Sequence, residues 1–209
     1  MAIEIELKVH LDDFEAVKNR LSAVGSYCRS YQKSDSYWLS PYLINSGVRV
    51  RREHGIDADG TAYESVMVTF KTKEILQGIE VNNEREFTVS DAALFEEMLG
   101  RLGMHKDIHK EKKGWAWAIA AETAGQPWSA GQPWSVEQPF ILAELSLVTG
   151  LGWFLELEIL SQNDHNGEIE ENRKRLLSLL KALEIPEERI EGKPYAQLLK
   201  EFDLSVSEV

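Results

Sequence analysis

One pattern recurs along this chain: charged side chains at every second position, with apolar ones between them. It opens the sequence in Ile3-Glu4-Ile5-Glu6-Leu7-Lys8-Val9. In a strand, successive side chains point to opposite faces, so Ile3, Ile5, Leu7 and Val9 share one face and Glu4, Glu6 and Lys8 the other. For one strand the simple reading is a core face and a wet face. Here the pattern returns with both signs of charge. Arg49 and Arg51 flank Val50; Lys71 and Lys73 flank Thr72, behind Val66, Val68 and Phe70. Glu84 and Glu86 share a face, as do Lys110 and Lys112, and Glu156 and Glu158 alternate with Leu155, Leu157 and Ile159.

The rest reads as strands with helices between them. Further strands are expected over 31–40, 48–53, 63–73, 80–89, 106–121, 139–148 and 153–161. Asp12 is placed to cap a helix carrying Phe14, Val17, Leu21 and Val24, which Gly25 ends. Gly55 to Gly60 reads as a loop, and Pro41 to Gly47 and Gln77-Gly78 as turns. Ser90 is expected to cap a second helix, with Leu94, Phe95, Met98, Leu99 and Leu102 near its buried side. A long helix over about 168–183 would bury Ile169, Leu176, Leu177, Leu180 and Leu183, with Pro186 ending it. A terminal helix aligns Tyr195, Leu198, Leu199 and Phe202. No break in composition divides the chain, so residues 1–209 read as a single domain.

With 209 residues, 43% of them hydrophobic, the chain can build one sizeable core. It has no run of about 20 apolar residues to span a bilayer and no signal-peptide pattern. Its only cysteine, Cys28, has no partner for an intramolecular disulfide, which points to a reducing cytoplasm. A formal charge of −12 argues against nucleic-acid and anionic-membrane binding, but not against a small anion held by local charge.

If helices cover the apolar strand faces, the charged faces look at one another or at solvent. Curled into a barrel, the sheet would turn them inward. Isolated buried charges are very costly, so a lumen lined by Arg, Lys and Glu makes sense when it is wet and holds something charged both ways. A polyphosphate with divalent cations fits: guanidinium and ammonium groups take phosphate oxygens, and carboxylates take hard ions such as Mg²⁺ or Mn²⁺.

The Glu4-x-Glu6-x-Lys8 strand, with Asp35-x-Tyr37, Arg49-x-Arg51, Lys71-x-Lys73, Glu84-x-Glu86, Lys110-x-Lys112, the run Val148 to Glu158 and Pro194-Tyr195-x-x-Leu198-Leu199, resembles the CYTH superfamily of triphosphate tunnel metalloenzymes. The resemblance covers nearly the whole chain. It implies an α+β fold: an eight-stranded antiparallel β-barrel, a tunnel, with helices packed outside. It implies that Lys8, Arg49, Arg51, Lys71, Lys73, Lys110 and Lys112 grip a triphosphate. Glu4, Glu6, Glu156 and Glu158, with Glu84 and Glu86, would serve one or two metal ions, Mg²⁺ or Mn²⁺. Lys8 and Tyr37 would together position and activate a water. The sequence departs from the family pattern at Ser146, where an acidic residue is usual and Glu144, two positions earlier on the same strand face, would reach the metal instead, and at Asn82, where an Arg is usual. The partner implied is a small-molecule triphosphate, with monomer and homodimer both open.

The same residues serve two reactions. A hydrolase directs water at the terminal phosphorus; a class IV adenylyl cyclase of the CyaB type directs the ribose 3′-hydroxyl at the α-phosphorus and releases pyrophosphate. Hydrolysis asks for less, since no adenine pocket is identifiable. A non-catalytic polyphosphate-binding module is the third reading, against which the four carboxylates Glu4, Glu6, Glu156 and Glu158 count.

The hexapeptide Ala124 to Ser129 recurs letter for letter at Ala130 to Ser135. With Gly and Pro in each copy it reads as a tandem duplication in a tolerant hairpin loop, the alternative being an aromatic lid. Deleting one copy is expected to leave turnover within a small factor. Loss of activity in a folded deletion variant would show the loop to be a lid.

Overall fold

The computed structural model describes residues 3–42, 47–76, 79–120, 140–161 and 166–207, with side chains for all of these except 71–76, 79–84, 166 and 204–207. The elements run β1 (Ile3–Leu11), α1 (Phe14–Val24), β2 (Ser26–Leu39), β3 (Gly47–Asp57), β4 (Ala62–Leu76), β5 (Ile79–Thr88), α2 (Ala92–Arg101), β6 (His105–Ala120), β7 (Phe140–Val148), β8 (Gly152–Ser161), α3 (Asn166–Ala182), a short 3₁₀ turn (Glu187–Arg189) and α4 (Tyr195–Ser207). The strands pair antiparallel in the order β1-β5-β4-β3-β2-β6-β7-β8, and β8 returns to β1. Closure joins β1 to both β8 and β5, the β5 seam being short, Ile3–Glu6 against Glu80–Asn83. The expected α+β barrel with helices outside is therefore what forms. Among the described residues no helix is long and apolar enough to cross a membrane.

The apolar faces look outward. Ile5, Leu7 and Val9 of β1, Ala143 and Leu145 of β7, and Leu155, Leu157 and Ile159 of β8 pack with Val17 and Leu21 of α1 and with Ile169, Leu176, Leu179 and Leu180 of α3. In α3 the spacing Ile169, Leu176 and Leu180, continued by Leu183 just past the helix end, puts these residues on one stripe facing the barrel. Each fully buried leucine is worth about 1.5–3 kcal/mol of burial. Because Leu155 and Leu157 face the helices, Phe154, Glu156 and Glu158 must face the lumen. The same alternation turns Glu144, Ser146 and Val148 of β7 inward. Helix α4 lies at one end of the barrel, where Tyr195 packs among the inward-facing Val148 and Phe154.

Several local expectations are corrected. The first cap is Asp13 rather than Asp12, its carboxylate accepting from the Ala16 N–H at 3.1 Å. The second is Asp91 rather than Ser90, accepting from the Leu94 N–H at 3.0 Å. In both cases the acceptor stands three residues before its donor, the reach a cap needs. Strand β2 begins at Ser26, and β3 continues through Gly55 to Asp57, so the loop shrinks to a turn after Asp57. Gly55 belongs to the strand because nothing larger fits: a Cβ there would lie 2.1 Å from the Ser30 carbonyl oxygen and 2.8 Å from the Tyr63 hydroxyl. In α2 only one side is covered. Ala92, Phe95 and Leu99 pack on Val48, Val50 and Trp38, while Leu94, Met98 and Leu102 are exposed. The helix is apolar on more than one side and rests on the barrel by a single stripe. The duplicated hexapeptide, Gln77-Gly78 and residues 43–46 of the expected turn lie outside the described residues.

This division predicts a contrast in stability. Leu180→Ala should lower the unfolding free energy by about 2–5 kcal/mol, the range for a buried leucine. Leu94→Ala should change it by no more than about 0.5 kcal/mol. Urea titration of the two variants checks this, and equal losses would contradict the assignment of α3 as core and the outer stripe of α2 as surface.

Candidate active site in the barrel lumen

Residues alternating with the outward apolar set line the interior. At its centre is Asp35 of β2, fully buried. Its two oxygens accept from Arg51 Nε at 2.7 Å and Nη2 at 2.9 Å, a bidentate pair. Lys110 Nζ approaches the same carboxylate at 3.1 Å. Strand register explains the meeting, since Asp35 stands opposite Arg51 on β3 and opposite Lys110 on β6. Burial alone would raise the Asp35 pKa, but Arg51 and Lys110 outweigh it and hold the carboxyl well below its usual range. Burial likewise works against the Arg51 cation, and Asp35 more than restores it.

A second network lies further along the same strands. Lys33 of β2 stands directly opposite Lys112 of β6. Glu144 of β7 bridges them, at 2.5 Å from Lys33 Nζ and 3.0 Å from Lys112 Nζ. Arg29 Nη2 lies 3.5 Å from the same carboxylate, and Lys112 also donates to Glu156 of β8 at 2.5 Å. Burial, with Lys112 and Arg51 nearby, pulls Lys33 down to about 8 although Glu144 favours its charge. For Lys112 burial also disfavours the cation, but Glu144 and Glu156 together raise it well above its usual value.

Arg49 sits at a more open part of the wall, donating to Thr69 Oγ1 at 2.8 Å and to Glu86 at 3.2 Å. Lys8 is buried and donates to the Lys193 carbonyl at 2.7 Å. Its Nζ lies 4.5 Å from the centre of the Tyr195 ring, and so does Lys110 Nζ. Lys110 Nζ is also 5.8 Å from the centre of the Tyr37 ring. Lys8 and Tyr37 are thus linked through Tyr195 and Lys110. Burial would raise the Tyr37 phenol, yet Lys110, Arg49 and Arg51 bring it below its usual pKa against the opposing charge of Asp35. The Tyr195 hydroxyl is buried with no hydrogen-bond partner among the described residues.

Carboxylates line the wall formed by β1, β8 and β7. Glu6 stands opposite Glu158, and Glu156 opposite Glu144. Like charges directly opposite repel unless a cation lies between them; Lys112 fills that place for Glu144 and Glu156. Oxygen donors of this kind suit Mg²⁺ or Mn²⁺. Among the described residues, no three acidic, histidine or cysteine side chains converge closely enough to hold an ion as they stand. The oxygen donors are of the type a hard cation takes, and one of them, Glu156, is engaged by Lys112.

Of the residues singled out in the sequence, the structure joins Arg51, Lys110 and Tyr37 in one cluster and Lys112, Glu144 and Glu156 in another. Lys71 and Glu84 stand opposite one another in register, and Lys73 opposite Asn82, but their side chains lie outside the described residues. Glu86 is partly exposed beside Arg49. Lys33 and Arg29 carry no role in the sequence patterns above, and Asp35 enters them only beside Tyr37. The alternation Tyr31, Lys33, Asp35, Tyr37 on one face of β2 is the signal that could have found them.

The buried pairs make the fold acid-sensitive in a defined window. Burial would raise Glu156, but Lys112 and Lys110 outweigh it and bring the carboxyl from 4.5 to about 2. A depressed carboxyl stabilises the fold above its unfolded pKa, and the contribution is lost as pH falls through the folded one. The urea midpoint should therefore hold steady above about pH 5 and fall between about pH 4.5 and about pH 2. Equal midpoints at the two ends of that window would contradict the pairing.

No protein-family model and no curated protein matches the chain. Solved structures do. The PH1819 protein from Pyrococcus horikoshii OT3 matches with a TM-score of 0.74 and 22% identity, covering 95% of this chain and 98% of its own. A candidate adenylate cyclase from Vibrio parahaemolyticus matches with a TM-score of 0.68 and 16% identity, over 95% of this chain and 98% of the other. A candidate adenylyl cyclase from Hippeastrum, with a dominant triphosphatase activity, matches with a TM-score of 0.56 and 16% identity, over 92% and 91%. At these identities the likeness is one of fold: the chain shares its barrel with proteins described as adenylyl cyclase-like and as triphosphatase-active.

Proposed function

We propose that this protein is a CYTH-type, divalent-metal-dependent enzyme that hydrolyses inorganic tripolyphosphate or a nucleoside or organic triphosphate inside the barrel. The observation that carries the reading is the barrel interior, toward which strand alternation turns Arg49, Arg51, Lys8, Lys110 and Lys112 together with Glu4, Glu6, Glu156 and Glu158. Stability alone does not call for such a lining, since well-packed apolar residues often do as well as buried ion pairs or better. A polyanion accompanied by a hard cation matches both signs at once.

The chain's own groups divide the work. Arg49, Arg51, Lys110 and Lys112, with Lys71 and Lys73, hold phosphate oxygens, and Asp35 fixes the plane of the Arg51 guanidinium for that contact. Lys8 is steadied by the Lys193 carbonyl, and with Tyr37 it positions the attacking water. A phenol that loses its proton more readily than usual suits that place. Glu4, Glu6, Glu156 and Glu158 would hold Mg²⁺ or Mn²⁺, and the ion would supply positive charge to offset what develops on the phosphate. The triphosphatase activity of the Hippeastrum protein supports hydrolysis. The fold shared with the Vibrio protein supports the second reading, cyclisation of ATP to cyclic AMP and pyrophosphate.

Product analysis with Mg²⁺ and with Mn²⁺ separates the two. Tripolyphosphate should be cleaved at least as well as ATP, and ATP should yield mainly ADP and phosphate, because the binding groups read phosphate rather than a base. Tyr37→Phe should lower kcat more than it raises KM. Cyclic AMP and pyrophosphate from ATP, with tripolyphosphate left intact, would replace the hydrolase by the cyclase.

A further inference from the structure

We propose that Glu144 is an internal stand-in for a phosphate group: its carboxylate fills an anion subsite built by Lys33, Lys112 and Arg29, and a phosphate of the substrate takes its place. The inference rests on the reading of the lumen as a polyphosphate site and adds to it two gripping residues, Lys33 and Arg29, together with a competitor supplied by the protein.

The geometry begins with the lysines. Lys33 and Lys112 are buried and stand directly opposite one another across β2 and β6. Opposed like charges on one strand face repel, so the pair needs an anion. Glu144 supplies it from β7, beyond β6, reaching Lys33 at 2.5 Å and Lys112 at 3.0 Å. Arg29 is drawn to the same group at 3.5 Å, and Glu53 of β3 stands further off, 3.6 Å from Arg29 and 3.7 Å from Lys33.

The fit is imperfect in an instructive way. Lys33 and Arg29 both address the single oxygen Oε1, while Lys112 takes Oε2. A carboxylate offers two oxygens to these three cations, whereas a terminal phosphate group offers three. Each cation would then have an oxygen of its own, in charge-assisted bonds of the kind Arg and Lys make with phosphate. Lys112 links this subsite to the rest of the lumen through its bond to Glu156. A chain of phosphates gripped by Arg51 and Lys110 therefore has a further cationic station ahead of it.

Calorimetric titration of the full chain with inorganic tripolyphosphate, in excess chelator so that no metal-dependent turnover occurs, tests the exchange. Glu144→Gln keeps the shape and removes the competing charge, and should bind at least about tenfold more tightly than the unaltered protein. Lys33→Gln should bind at least about tenfold more weakly. Removing Glu144 also leaves Lys33 and Lys112 opposed with only Glu53, 3.7 Å from Lys33, and Glu156, 2.5 Å from Lys112, to offset them. If the variant melts early, tripolyphosphate should raise its melting temperature by more than it raises that of the unaltered protein. A folded Glu144→Gln protein that binds no more tightly, or an early-melting one that the anion does not restore, overturns the inference. Arg51→Gln separates the two levels. If it weakens binding while the Glu144 and Lys33 variants do not change it, the lumen still takes polyphosphate and the stand-in is wrong. If the unaltered protein binds no tripolyphosphate at all, both fall.

Discussion

A charge inside a closed barrel persists only where it meets its opposite, and that requirement shapes this molecule. Asp35 can be fully buried because Arg51 grips both its oxygens and Lys110 closes on it. Glu144 can be buried because Lys33, Lys112 and Arg29 surround it. Removing one partner from such a pair leaves the other uncompensated, which typically costs 3–5 kcal/mol. The stability that makes such a lining tolerable comes from elsewhere. It lies on the outer face, where α1 and α3 bury the apolar side of β1, β7 and β8. The alternation of a strand lets one segment serve both purposes, apolar packing outside and paired charges within.

Strand β1 meets the segment that leads into α4 beside the lumen. The Glu191 N–H donates to the Lys8 carbonyl at 2.8 Å, Val9 bridges to Ile190, and the Lys8 ammonium donates to the Lys193 carbonyl. Backbone and side chain of Lys8 are thus both fixed by the segment that leads into α4. That segment also places Tyr195 against Lys8 and Lys110, at the end of the lumen formed by Val148 and Phe154. The first strand supplies the cation, and the last helix determines what it faces.

Much of this was legible in the sequence, and what was not has physical causes. A period of two in β1 or β8 reveals which residues share a face, and that is enough to sort core from lumen. It does not reveal which charges meet, because that depends on how the strands stagger around the closed barrel. Lys33 and Glu144 are 111 residues apart and touch across β6; neither strand alone announces the other. Glu144 reads in sequence as a replacement for an acidic residue missing at Ser146, yet its neighbours in the fold are cations. The exposed stripe Leu94, Met98 and Leu102 was misplaced for a related reason: α2 is apolar on more than one side, and only its docking on β3 decides which side is covered. Gly55 reads as a loop residue because a glycine needed for close backbone approach has the same letter as one needed for a turn.

The central claim is that the lumen, with its paired charges, is where a polyphosphate binds. A crystal structure of the protein grown with inorganic tripolyphosphate addresses it most directly. The account predicts phosphorus density inside the barrel, within hydrogen-bond reach of Arg49, Arg51, Lys110 and Lys112. Density confined to the outer surface, with the lumen ion pairs unchanged at saturating ligand, would contradict it.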